Sequence, residues 1–188
     1  MRADLERTVL GWYPSADGPE LDRIEALVQA YTASDLARRL ATLEGARPER
    51  PFSFEHDGVL LHGRLDVLWR DGVRALVADY KSNVLDGAEP TEVVEAEYRL
   101  QRLVYAIACL RDGAEEVEVV YQFLERPEDV VSATFRRGDL EGLEAELSAA
   151  IARIRAGEFR PTPSEFVCAG CPALDLVCAG PRLLLHQG

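Results

Sequence analysis

The chain has 188 residues, which is enough for one domain with its own core and a small appendage. Hydrophobic residues make up 47% and charged residues 29%, a composition typical of a soluble globular protein. No apolar run approaches the roughly 20 residues of a membrane span, and the first residues lack the apolar segment of a signal peptide. We therefore expect a cytoplasmic protein with no membrane partner.

The charge balance is acidic, with 33 acidic against 21 basic residues and a net charge of −12. Because neutralising phosphates requires Lys and Arg, this balance argues against a domain that binds nucleic acid by bulk electrostatics alone. It is compatible with an enzyme whose acidic residues hold cations. Strong affinity for DNA would then come from a fused motor, a partner subunit or the metal ions.

The first half of the chain predicts helices followed by strands. Residues 20–44 carry apolar residues at helical spacing, and Ser34 is the expected N-cap of a second helix that starts at Asp35. Residues 45–51 form a connection, and strands are predicted over 51–58, 59–72 and 73–83, with Asp57-Gly58 and Asp71-Gly72 as hairpin turns. Alternation in the middle strand predicts one face with Leu61, Gly63, Leu65 and Val67, and another with His62, Arg64, Asp66 and Leu68.

The second half predicts a helix over 91–111, strands over 115–125 and 132–137, and a helix over 139–157. The apolar stripe expected on the first of these helices consists of Leu100, Leu103, Val104, Ile107 and Leu110. Hairpin strands, a helix and another strand pair indicate an α/β fold of α+β type, with a mixed, largely antiparallel central sheet flanked by helices. We expect one domain over 1–160 and a Cys-rich tail over 161–188.

Two acids and a lysine form the strongest candidate site. Asp66 and Asp79 fall on adjacent predicted strands, so their carboxylates can converge on the hard cations Mg²⁺ or Mn²⁺. Lys81 follows two residues after Asp79 and projects from the same strand face. A metal there would activate a water and polarise a phosphate, while Lys81 orients the nucleophile or stabilises the transition state. Ordinary strand-end acids are the alternative, which the buried-looking run over 75–78 disfavours.

Three short motifs occur in order: Gly63-Arg64-Leu65-Asp66, Asp79-Tyr80-Lys81, and Gln101 with Tyr105 four residues later on the same helical face. Together they resemble the nuclease module of RecB and AddA helicase–nucleases in the PD-(D/E)XK superfamily, which has a restriction-endonuclease-like core. The resemblance implies that Asp66, Asp79 and the Tyr80 backbone carbonyl are metal ligands, that Lys81 is the catalytic lysine, and that Gln101 and Tyr105 position the substrate. Tyr105 could instead belong only to the helix core.

The same resemblance implies the function. It predicts a Mg²⁺- or Mn²⁺-dependent DNA nuclease, an exonuclease on single-stranded DNA ends that works with a fused or associated superfamily 1 helicase in DNA recombination and repair. An inactive nuclease-fold module that guides a strand for a helicase is the alternative. A zinc-ribbon-like interaction protein is a third possibility, but it leaves the two acids and the lysine unexplained.

One feature departs from the family pattern. Its members usually carry an upstream helix with a His or Glu that completes the metal shell, often as Gly-x-x-x-His, and no such motif precedes Glu20. We therefore interpret the chain as a fragment that starts after that helix. Glu49 and Glu97 are the alternative third acids.

Three cysteines lie close together in the tail as Cys168-x2-Cys171-x6-Cys178. Three thiolates and a fourth ligand could hold Zn²⁺ or a [4Fe–4S] cluster. The spacing is similar to the C-terminal half of the four-cysteine cluster in AddB and in CRISPR-associated RecB-like nucleases. His186 is a candidate fourth ligand, whereas Cys109 is expected to be a core residue of its helix. A metal-free tail with buried thiols is the alternative.

Overall fold

The structure is a computed structural model that describes residues 2–159, 168, 171–178 and 180. It divides into two compact units, residues 1–149 and 150–188, with the division inside the last helix. The residues of the candidate active site all belong to the first unit, and the tail cysteines belong to the second. The domain boundary expected after residue 160 stays a prediction.

The first unit alternates helical and strand segments in an order that resembles the sequence-based expectation. No helix of the described ranges is long and apolar enough to cross a membrane. The elements are α1 (Arg2–Trp12), α2 (Gly18–Ala33), α3 (Asp35–Ala41), β1 (Arg47–His56), β2 (Val59–Asp71), β3 (Arg74–Lys81), α4 (Pro90–Val93), a π-helical turn (Val94–Tyr98), α5 (Arg99–Arg111), β4 (Glu116–Phe123), β5 (Val131–Arg136), a 3₁₀ turn (Arg137–Asp139) and α6 (Leu140–Arg155).

The five strands form one sheet in the order β1-β2-β3-β4-β5. Three of the four neighbouring pairs are antiparallel, and only β3 and β4 run parallel. Parallel neighbours need a long crossover, which the helical segment from α4 to α5 supplies. The mixed, largely antiparallel sheet with flanking helices confirms the predicted fold class.

The central strand β3 is buried on both faces of the sheet, which explains its continuous apolar run over 75–78. One face packs against α5 through a cluster that includes Val77, Tyr105 and Leu110. The other packs against α3 through a cluster that includes Leu36 and Leu76. Side chains alternate along a strand, so Asp79 and Lys81 continue the face that meets α5.

Local signals set several of the helix ends. Ser34 closes α2 and caps α3 by accepting the Ala37 N–H at 3.2 Å, as predicted. Asp17 and Glu20 form a capping box at the start of α2, each side chain accepting the other's backbone N–H at 3.0 Å. At the β1–β2 turn, Asp57 and Gly58 both adopt positive φ, the conformation of a two-residue hairpin turn.

The structure corrects five sequence-based expectations about the elements and their faces. Helix α1 had no predicted counterpart, and β1 begins at Arg47, inside the expected connection. The helix predicted over 91–111 is interrupted by the π-helical turn, and Leu100 is 45% exposed instead of lying on the apolar stripe. The predicted face of β2 was also wrong, because Leu65 joins the cluster against α5 whereas Val67 joins the cluster against α3.

Candidate active site

Asp66 lies where β2 separates from β3. Backbone pairing between these strands ends at Val67 opposite Ala78. Beyond that pair the backbone N–H of Tyr80 donates to Asp66 Oδ2 at 2.9 Å, so the side chain satisfies a group that would otherwise need a partner strand. The split also explains why the face alternation of β2 changes around Asp66. It leaves a carboxylate in the fork between two strands.

Asp79 is the most deeply buried acid of the site, with 2% of its surface exposed. Its Oδ2 accepts a hydrogen bond from the Tyr105 hydroxyl at 3.0 Å, and Lys81 Nζ lies 2.6 Å from Oδ1. Within the described residues Oδ1 accepts no hydrogen bond of normal geometry. Lys81 therefore balances the negative charge of this oxygen as an ion pair. A buried carboxylate beside a second acid, Asp66, supplies the oxygen ligands that a hard cation prefers.

Lys81 is the only lysine in the chain, in which every other strong base is an arginine. Its Nζ donates to Gln101 Oε1 at 3.0 Å and lies against Asp79. The same ammonium group stands 4.0 Å from the ring centroid of Tyr98 and 5.3 Å from that of Tyr121. Two aromatic faces, an amide and a carboxylate therefore hold a side chain that is only 12% exposed.

Gln101 and Tyr105 reach the site from consecutive turns of α5, as their spacing predicts. Gln101 Nε2 donates to the Tyr105 hydroxyl oxygen at 2.8 Å, and that hydroxyl in turn donates to Asp79. The Tyr105 ring is 5% exposed and packs edge-on against Phe52 with centroids 5.9 Å apart. Both sequence-based interpretations of Tyr105 therefore apply, because its ring lies in the core and its hydroxyl contacts the candidate site.

The electrostatics of the cluster follow from its burial. Burial raises the pKa of the Asp79 carboxyl above its ordinary value, and the negative charge of Asp66 adds to this, while Lys81 and Tyr105 act in the opposite direction. Burial and the charge of Asp79 also raise the pKa values of Tyr105 and Tyr121, so both hydroxyls keep their protons. The site thus contains more negative charge than its single ammonium group neutralises.

The donor set fits a hard divalent cation. Mg²⁺ commonly binds through one or two carboxylates and completes its shell with water and substrate phosphate oxygens. Asp66 and Asp79 supply two such carboxylates, and Asp79 Oδ1 is the buried oxygen that lacks a directed donor. The described residues contain no group of three or more His, Cys, Asp and Glu side chains that could hold an ion, so a site built from them has the two acidic side chains of Asp66 and Asp79.

The alternative third acids do not join this cluster. Glu49 is exposed and pairs with Arg64 at 3.6 Å, and Glu97 is exposed in the π-helical turn. Cys109 is buried in the core as expected, and burial raises its thiol pKa to about 12.

The tail cysteines are free thiols in the structure. Cys168 is buried and Cys171 is exposed, and within the described positions they belong to no group of side chains that could hold a metal ion. The Cys171 N–H donates to the Cys168 carbonyl at 3.1 Å, so a local turn joins them. Neither Zn²⁺ nor an iron–sulfur cluster gains support from this arrangement, and His186 lies outside the described residues.

Sequence reasoning missed Tyr98 and Tyr121, the two rings that surround Lys81. Tyr98 precedes Gln101 by three residues, the spacing of neighbours on a helix surface. Tyr121 is the parallel-strand partner of Asp79. The first signal was available in the sequence, whereas the second required the register between β3 and β4.

Comparison with known protein families identifies the chain as a protein of the nuclease class. The profile of the PD-(D/E)XK nuclease superfamily matches residues 3–178, and the chain belongs to that superfamily. The resemblance inferred from the three motifs is thereby confirmed at the level of the superfamily. Among proteins of curated function, none matches the chain significantly.

Two solved structures are similar to the chain. SSO0001 shares 17% identity with a TM-score of 0.36 over 80% of this chain and 70% of that protein. A provisionally named exonuclease from Eubacterium rectale shares 14% identity with a TM-score of 0.47, over 90% of this chain and 66% of that protein. At these sequence identities and TM-scores, neither structure indicates the activity of this chain.

Proposed function

We propose that the chain is a Mg²⁺- or Mn²⁺-dependent deoxyribonuclease that acts as an exonuclease on single-stranded DNA ends. We further propose that it works as the nuclease module of a fused or associated superfamily 1 helicase in DNA recombination and repair. The observation that carries the nuclease proposal is the convergence of Asp66, Asp79 and Lys81 at the fork between β2 and β3. An acidic domain with a net charge of −12 is suited to a partner that delivers the strand.

In the proposed site Asp66, Asp79 and the Tyr80 carbonyl would hold the metal. The bound ion would supply an activated water and polarise the scissile phosphate. Lys81 contributes a positive charge directed toward the phosphate, and its contacts with Gln101 and the tyrosine rings fix the position of that charge. Tyr105 orients Asp79 through its hydrogen bond to Oδ2, and Oδ1 lies against the Lys81 ammonium group.

The test is cleavage of end-labelled single-stranded DNA in Mg²⁺, Mn²⁺ or EDTA. We expect metal-dependent cleavage that falls by about 10²-fold or more in Asp66→Asn and in Lys81→Met, the loss typical of removing one transition-state contact. Asp71→Asn is the matched control, because this exposed strand-end acid pairs with Arg74 away from the site. Internally labelled and circular substrates distinguish exonuclease from endonuclease action.

Two outcomes would contradict the proposal. Cleavage that persists in EDTA, or that survives in Asp66→Asn, would remove the assigned metal site. Binding of single-stranded DNA without cleavage in either metal would favour the inactive strand-guiding module instead.

A further inference from the structure

Arg102 lies beside the candidate active site, and the proposed chemistry does not use it. It directly follows Gln101 in α5, and it stands four residues after Tyr98 and three before Tyr105. Residues three and four apart are neighbours on a helix surface. Those three residues all contact the candidate active site, so Arg102 lies on the side of the helix that faces it.

The positive charge of Arg102 acts on the same network of side chains. Burial and the charge of Asp79 raise the pKa of the Tyr121 hydroxyl, and the charge of Arg102 lowers it. That hydroxyl lies 3.3 Å from Gln101 Oε1, which is also the oxygen that accepts the hydrogen bond from Lys81. Arg102 is therefore a second cation close to the group that holds the candidate catalytic lysine.

The guanidinium group of Arg102 has hydrogen-bonding capacity to spare. Its side chain is only 13% exposed, although a guanidinium carries several N–H donors in a planar fork. Among the described residues it donates to one acceptor, with Nη2 2.7 Å from Glu95 Oε1. The buried atoms of the described residues that lack a partner include no nitrogen of Arg102, so its remaining N–H groups are accessible from solvent. A ligand with several acceptor oxygens can therefore bind to them.

Glu95 is a partner that another anion can replace. Its side chain is 51% exposed and belongs to the π-helical turn. An ion pair with a solvent-exposed carboxylate contributes little to stability. A phosphodiester offers a pair of free oxygens that match the planar fork of a guanidinium, and such paired contacts are stronger than a single one. In the free protein Glu95 therefore occupies a position that suits a phosphate.

We propose that Arg102 binds a backbone phosphate of the DNA strand next to the scissile phosphate and exchanges Glu95 for it. The inference rests on the proposed nuclease function for its substrate. Because Gln101 holds Lys81 and Arg102 follows it in the same helix, α5 aligns the strand at two successive positions. The contact reads no base, so it adds affinity for the strand without preference for its sequence.

The test measures binding of the full chain to a fluorescent single-stranded oligonucleotide by anisotropy, in EDTA and at several salt concentrations. We expect Arg102→Gln to weaken binding about tenfold, the loss typical of one charged hydrogen bond. The salt dependence of binding should fall by about one phosphate contact. Glu95→Gln removes the competing carboxylate, so this variant should bind about two- to fivefold more tightly than the unsubstituted chain. The two partners of one ion pair are thus expected to have opposite effects.

A second ion pair of α5 supplies matched controls. Arg99 is 60% exposed and pairs with Glu146 of α6 at 2.9 Å. Arg99→Gln and Glu146→Gln remove the same two kinds of charge as the test variants. Both controls should bind DNA nearly as the unsubstituted chain does, and thermal melting of all four variants checks that they fold.

The outcomes for Arg102 and for the nuclease are distinguishable. Equal binding by Arg102→Gln and Arg99→Gln would overturn the role of Arg102, as would the absence of measurable binding by the unsubstituted chain at low salt. Weaker binding by Glu95→Gln would also overturn it, because the ion pair would then serve the fold and not the strand. Absence of metal-dependent cleavage by the unsubstituted chain would instead overturn the nuclease proposal, while binding in EDTA would still decide the role of Arg102.

Discussion

At the scale of single residues, several neighbours hold the side chain of Lys81, the candidate catalytic lysine. Its ammonium group contacts Asp79 and Gln101 and lies over the ring of Tyr98. The carboxylate, the amide and the aromatic ring together fix the position of the positive charge that the proposed chemistry uses.

Tyr98 is therefore expected to position Lys81. Tyr98→Leu removes the ring, and we expect kcat on single-stranded DNA to fall about tenfold, as for the loss of a desolvated cation–π contact. Tyr98→Phe keeps the ring and loses only the hydrogen bond from the hydroxyl to Asn83 Oδ1, so it should retain most of the activity.

Because the chain has no other lysine, amine labelling reports this position directly. Mass mapping should show faster modification of Lys81 in Tyr98→Leu than in Tyr98→Phe. Equal labelling rates in the two variants would contradict the positioning role, even if activity fell in both.

At the scale of elements, the helices ahead of the sheet determine what covers the face opposite the active site. Helix α3 packs Leu36 and Leu40 against Leu76 of β3. Arg39 of α3 also pairs with Glu118 of β4, with N–O distances of 2.9 and 2.5 Å. A short helix of seven residues has little stability of its own, so its ends and its packing must hold it in place.

Ser34 is the expected anchor of this arrangement, because it is 8% exposed and caps α3. We expect Ser34→Ala to lower the free energy of unfolding by about 1 kcal/mol, the usual effect of losing an N-cap. Urea denaturation followed by circular dichroism measures this change.

Thr32→Ala is the matched control, since the exposed Thr32 hydroxyl donates to the Gln29 carbonyl inside α2 and caps no helix. A loss of similar size in the control would show that the cap contributes nothing specific.

At the scale of the whole molecule the net charge is −12, and two of the acids, Asp66 and Asp79, lie close enough for their charges to repel. A ligand that binds only the folded state stabilises it by mass action, by about 2.7 kcal/mol at a concentration of 100 times its Kd. A divalent ion at Asp66 and Asp79 would also relieve the repulsion between the two carboxylates. Metal binding should therefore be visible in the stability of the protein.

We expect Mg²⁺ to raise the Tm relative to EDTA, and Asp66→Asn to abolish the increase. Asparagine can still accept the Tyr80 N–H, so this variant removes the charge but keeps the hydrogen bond. Differential scanning fluorimetry at matched ionic strength measures the effect. Asp71→Asn should keep the full shift, and an equal shift in both variants would mean that the ions act only by screening the surface charge.

Much of this architecture could be predicted from local patterns. Three features depend only on residues near one another in the chain and can therefore be predicted from the sequence. They are the buried run of β3, the Ser34 cap and the Asp57-Gly58 turn. The predicted catalytic set also came together, because Asp66 and Asp79 lie on consecutive hairpin strands and Gln101 and Tyr105 share one helical face. Their individual roles stay predictions until the variants are tested.

The errors have a common cause in long-range packing. Strict alternation predicted one face for Leu65 and Val67, but β2 leaves β3 between them and rotates. The interruption of the long helix at the π-helical turn brings Tyr98 over Lys81, and no local propensity indicates it. Helix α1 lacks a strong apolar stripe of its own, since only Val9 is buried in it.

The sequence by itself determined the class of fold, the superfamily, and the candidate acids and lysine. Hydrophobic periodicity and short motifs depend only on residues that are close together in the chain. Only the tertiary structure decided what surrounds them. The parallel register of β3 and β4 brought Tyr121 next to Asp79, and the packing of α5 on the sheet brought Gln101 to Lys81. Such contacts join residues far apart in the chain, so their energies depend on how the elements pack and leave no local pattern.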